Sequence, residues 1–152
     1  MVFYIKKGFK MKHLKLPLNF LTALKGQSIK TCSLEESIAQ SIMIQITSRY
    51  GEISSRPDFG SAIWELEFNQ LVKIYEWEEK VKQSLVDTIN KYEKRLYDID
   101  VKVSLSEFEK ESSLRARRDI RRKADIFVTG KIVYQDLPFH FNTTLYISPL
   151  SQ

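Results

Sequence analysis

Glu52 and Asp58, two carboxylates on one short connector, are the residues of this chain best spaced to do chemistry together. A glycoside hydrolase needs two carboxyl groups flanking the scissile bond, roughly 5–10 Å apart, one of them holding its proton near neutral pH. Nothing in the surrounding sequence marks either group as buried, so the spacing alone does not make an acid–base pair. Glu65, Glu67, Glu76, Glu78 and Glu79 fall at positions expected on a helix surface. His13 lies in a basic tail and His140 alternates within a strand pattern, and neither belongs to a metal or triad signature. Cys32 is the only cysteine, which excludes an intrachain disulfide and a thiolate metal cage and fits a reducing compartment. Gly8, Gly26, Gly51, Gly60 and Gly130 build no phosphate-binding loop. Catalysis and nucleotide binding are therefore unsupported, and no metal or cofactor is expected.

Charge is the other chemistry on offer. Arg115, Arg117, Arg118, Arg121, Arg122 and Lys123 follow closely on Glu107, Glu109 and Glu111, in a chain of net charge +5. A basic run can bind nucleic acid, but no aromatic residue interleaves these arginines to stack bases and no recognition motif surrounds them. The expectation is a solvated connection between strands, its opposite charges partly compensating, that faces an acidic neighbouring subunit and not nucleic acid.

The elements that must position these residues are legible in the periodicity. At 152 residues, 43% hydrophobic and 28% charged, the chain has the size and composition of one soluble globular domain. Residues 1–31 show no sustained helical period and are expected to form an extended strip, with the domain proper over 32–152. Ser33 and Glu36 form a capping box before a helix whose stripe is Leu34, Ile38, Ile42 and Ile46. Ile63, Trp64, Leu66 and Phe68 suggest a short helical turn. A longer helix runs from Leu71 through Ile74, Trp77, Val81, Leu85, Ile89 and Tyr92 to Leu96. Ile99, Val101, Val103 and Leu105 then alternate with polar residues as a half-buried strand, and two more strands, about 124–134 and 139–147, follow around a short turn. The reading is α+β in the order ααβββ, two main amphipathic helices packed on a small antiparallel three-stranded sheet. No stretch reaches the roughly 20 apolar residues of a membrane span, and a cytoplasmic location is expected.

Between the helices, residues 50–64 make a shaped connector. Pro57 sets its own φ and extends Arg56, Gly60 permits a bend, Asp58 can accept backbone amides, and Phe59 and Trp64 are apolar anchors. This run resembles the small baseplate wedge proteins of contractile injection machines, most of all the TssE family of type VI secretion. The likeness is also carried by Cys32-Ser33-Leu34-Glu35-Glu36-Ser37-Ile38 and Tyr92-Glu93-Lys94-Arg95-Leu96, and it spans about residues 16–150. The Cys32-Ser33-Leu34 cap and the Pro149-Leu150-Ser151 tail resemble the Bacteroidota members more than the phage ones.

The resemblance implies a structural subunit and no enzyme, although the family was long labelled lysozyme-like. It implies a six-fold baseplate docked at the inner membrane, with the wedge proteins TssF and TssG and the sheath proteins TssB and TssC as partners. Glu93 and Arg95 match the ends of the family's Glu-Pro-Arg motif, with Lys94 in place of proline, and with Arg56 and Phe59 they are the expected wedge interface. The sheath is expected to add its strands to the segment containing Phe139, Phe141, Thr143, Thr144 and Leu145. An equivalent subunit of a phage tail or extracellular particle is the alternative. A peptidoglycan hydrolase and a nucleic-acid-binding module stand further back.

Overall fold

The computed structural model describes residues 11–68, 73–110, 119–133 and 135–147, and the chain divides into two compact units, Met1–Gln40 and Ser41–Gln152. In the first unit, β1 (His13–Leu14) pairs antiparallel with β2 (Thr31–Cys32), and α1 (Phe20–Leu24) lies between them in sequence. An extended strip was expected here. The helix forms because Asn19 caps it, its side chain accepting the Thr22 amide at 3.3 Å. Helix α2 (Leu34–Thr47) begins in this unit, with Ser33 Oγ accepting the Glu36 amide at 3.1 Å. Only half of the capping box is made, since the Glu36 carboxylate pairs with Lys15 Nζ at 2.6 Å.

The second unit contains the rest of α2, a 3-10 helix (Ala62–Phe68), α3 (Ile74–Tyr92), β3 (Leu96–Lys110), β4 (Asp119–Ile132) and β5 (Pro138–Ile147). The three strands form one antiparallel meander in the order β3-β4-β5. The fold is α+β, and the two main helices followed by three strands appear in the expected order, with the N-terminal ribbon as an addition. Ile42, Ile46, Ile63, Trp77, Val81, Leu85 and Ile89 are buried on the helical side, and Val101, Ala124, Ile126, Val128 and Phe139 on the sheet. Each large aliphatic among them contributes about 1.5–3 kcal/mol over an exposed position.

Two boundaries differ from the periodicity. Glu93 leaves helical geometry at φ −106°, ψ 79°, so α3 stops at Tyr92 and Leu96 is the first residue of β3. Leu96 stays buried, which is why it continued the apparent helical stripe. Leu71, the expected helix start, lies outside the described residues. The second difference concerns the basic run. Strands β3 and β4 continue to Lys110 and from Asp119, so Arg121 and Arg122 belong to the ladder, opposite Phe108 and Glu107, and not to a solvated connection. Charged residues at both parities hide a period of two, so the sequence pattern faded before the strand ended. Arg115, Arg117 and Arg118 lie outside the described residues.

Candidate partner interface

The connector is built around Gly60, whose φ is +130°, a conformation that side chains resist. A Cβ placed there would sit 2.6 Å from the Ser48 carbonyl oxygen, so the connector backbone approaches the end of α2 closer than any other residue permits. Neighbouring bonds fix the approach. Ser61 N donates to Ser48 O at 3.0 Å, Ser61 Oγ to Ile46 O at 2.9 Å, and Thr88 Oγ1 on α3 to Gly60 O at 2.8 Å. Ser84 Oγ, also on α3, accepts the Ala62 amide at 3.1 Å. Both helices therefore clamp the bend, and the residues before it are presented outward, Arg56, Pro57 and Asp58 being exposed.

Tyr92, the last residue of α3, collects what the connector presents. Phe59 meets its ring edge-on at 5.1 Å between centroids, and the Arg56 guanidinium lies 5.7 Å from the ring centre. The Tyr92 hydroxyl donates to Asp58 Oδ1 at 2.7 Å, and Lys91 forms an ion pair with the same carboxylate. Hydrogen bonds from Lys91 and then Tyr92 hold the Asp58 carboxyl below its ordinary value and outweigh its partial desolvation. Asp58 was expected to accept nearby amides, but its side-chain partners come from α3. Tyr92 was read as a residue of the helical stripe and of the run that carries the resemblance, with no partner assigned; its connector partners are more than thirty positions away, and no local pattern could have paired them.

Immediately after Tyr92 comes a buried charge. Glu93 is 2% exposed and Arg95 is partly exposed, and the two form a forked pair, Nε to Oε1 and NH2 to Oε2, both at 2.6 Å. Burial pushes the Glu93 carboxyl up, but hydrogen bonds from Arg95 and from Ser41 of α2, with the arginine's charge, outweigh it and leave the group below its ordinary value. Ser41 Oγ also accepts Gln45 Nε2 at 3.2 Å, so a polar chain runs from α2 to the start of β3. Glu93 is thus no solvated helix end. The structure groups Arg56 and Phe59 on Tyr92 and pairs Glu93 with Arg95 at the same end of α3.

On β5, Phe139, Phe141, Thr143 and Leu145 are buried or half-buried, while His140, Asn142, Thr144 and Tyr146 are exposed. Thr144 Oγ1 donates to Asp125 Oδ1 across the strand pair at 2.6 Å. The two sheet edges are unequal. Helix α3 packs beside β3, and its Glu78 carboxylate takes the Leu105 amide at 2.7 Å, whereas the outer side of β5 pairs with no strand among the described residues. Arg122 on β4 pairs with Glu107 at 3.0 Å. Glu52 accepts the Arg49 amide at 2.9 Å. The displaced carboxyl groups among the described residues, Asp58, Glu93 and Asp125, are all shifted down, opposite to what a general acid needs.

The chain is similar in fold to a protein described as a tail lysozyme from Geobacter sulfurreducens, at 19% identity over 82% of this chain and 100% of that one, with a TM-score of 0.53. A chain of the baseplate complex from the type VI secretion system aligns at 18% identity over 74% of this chain and 92% of that one, with a TM-score of 0.48. No curated protein matches. The family model of baseplate wedge protein gp25 matches residues 32–128, which take in α2, the clamped connector, α3, β3 and most of β4. With well over half of its length so matched, the protein belongs to the gp25 family of baseplate wedge proteins, structural components of baseplates.

Proposed function

We propose that this protein is the small wedge subunit of a type VI secretion baseplate and that sheath assembly starts on the free edge of β5. The observation that carries this reading is the inequality of the sheet edges: β3 packs against α3, while the outer side of β5 pairs with no strand among the described residues and its polar side chains are exposed. Strand addition draws affinity from main-chain hydrogen bonds, so an edge of this kind is the whole requirement. The wedge proteins TssF and TssG dock at the C-terminal end of α3, where Arg56 and Phe59 lie on Tyr92 and Arg95 covers Glu93. The sheath proteins TssB and TssC follow on β5. No helix among the described residues is long and apolar enough to cross a membrane, and the subunit reaches the inner membrane through its baseplate.

The test is affinity co-purification from the native host, with mass spectrometry of the partners. Recovery of TssF and TssG homologues supports the reading. Recovery of phage-tail or extracellular-particle proteins moves the subunit to that machine, and recovery of neither overturns it.

A further inference from the structure

The charge of this chain is segregated. Its first 34 residues carry seven lysines and no arginine, aspartate or glutamate, so the rest of the chain holds 17 basic against 19 acidic residues and is slightly acidic. The described part of this segment also exposes several apolar residues. Phe20, Leu21 and Leu24 of α1 are 67%, 69% and 83% exposed, and α1 buries none of its residues. Lys12, Lys25 and Lys30 are exposed and make no ion pair among the described residues. A cluster of exposed aliphatic and aromatic side chains rimmed by one sign of charge is the mark of a docking surface.

The complementary surface is on the same molecule. Along α3 runs an open groove of about 710 Å³ whose lining includes Tyr50 and Tyr75 with Glu65, Glu76, Glu79 and Asp87. Lys80, the one cation among its lining residues, is tied to Glu65 at 2.8 Å, and Glu79 is paired with Lys82 at 3.4 Å. Glu76 and Asp87 have no cationic partner among the described residues, and Tyr75 is 74% exposed. From Tyr75 to Asp87 the stripe extends about 18 Å, enough to seat a short helix and its flanking lysines.

We infer that the N-terminal unit of one copy docks in the α3 groove of a second copy. The contact is heterologous, arm of one protomer into groove of the next, because the two surfaces differ and neither is self-complementary. It involves neither β5 nor the Glu93–Arg95 end of α3 and is independent of the wedge and sheath proposals. Lysine–carboxylate contacts at exposed positions are screened by salt, so the association is ionic-strength dependent, while the apolar residues of α1 give it an affinity floor.

The test is sedimentation velocity of the full chain, with an arm variant (Lys12→Glu, Lys25→Glu, Lys30→Glu) and a groove variant (Glu76→Lys, Asp87→Lys), each checked for unchanged circular dichroism. All five positions are exposed, so the fold is retained. The wild type associates at 50 mM salt and at least tenfold more weakly at 500 mM, and each variant alone is monomeric. Mixed, the two variants associate again at 50 mM salt, since one still has a good groove and the other a good arm. A mixture that remains monomeric overturns the inference, as does a wild type that is monomeric at both salts. Co-flotation of the wild type with anionic vesicles, without self-association, would overturn it in favour of a lipid surface.

Discussion

Glu93 keeps its charge in a nearly dry position only because Arg95 and Ser41 are there to receive it. Removing one member of such a pair leaves the other uncompensated, so Arg95→Ala is expected to cost about 3 kcal/mol in urea unfolding, and Arg95→Glu more. An unchanged urea midpoint would mean the pair does not hold the fold. A charge reversal at Arg95 therefore cannot report on partner binding alone. Arg56→Glu can, since Arg56 is exposed: the isolated protein should melt as the wild type does while capture of the larger wedge proteins is lost. The Glu93 carboxyl is below its ordinary value near 4.5 in the folded protein, so its contribution to stability is complete above that value and disappears as pH falls through the lower folded one. Acid unfolding of Glu93→Gln should accordingly be less steep than that of the wild type below pH 4.5. Gly60→Ala adds a Cβ 2.6 Å from a backbone oxygen at positive φ and should destabilise by about 3 kcal/mol in the same assay.

Between strands, the useful probe is proline. Successive residues of β5 direct their amides to opposite sides, one toward β4 and the next toward the free edge. Of Thr143→Pro and Thr144→Pro, one should unfold the hairpin and the other should leave a folded protein that no longer binds sheath. Equal behaviour of the two in a melting and pull-down pair of measurements would discount strand addition. The elements themselves were largely legible because their signals are local. Ile38, Ile42 and Ile46 are fully buried as their spacing implies, and the alternation from Ile99 to Leu105 marks β3. What escaped the sequence was either unmarked by apolar alternation, as at Arg121 and Arg122, or made by contacts between distant residues. The Tyr92–Asp58 bond and the hydrogen bond from Ser41 of α2 to Glu93 are of the second kind.

For the molecule as a whole, the description of one protein of similar fold as a tail lysozyme invites a direct check. With the displaced carboxyl groups among the described residues all shifted down, the purified protein should leave a peptidoglycan suspension turbid, and clearing at neutral pH would restore a hydrolase reading. The meander has a mechanical consequence besides. Every β4–β5 pair from Arg122 with Ile147 to Lys131 with Pro138 lies in one unbroken register, so tension applied along β5 loads the whole ladder in shear, whereas tension applied across it peels the pairs open in turn. A strand gripped lengthwise resists force far better than one lifted from its end, so the direction of pull at this edge decides how much load the β4–β5 pair withstands.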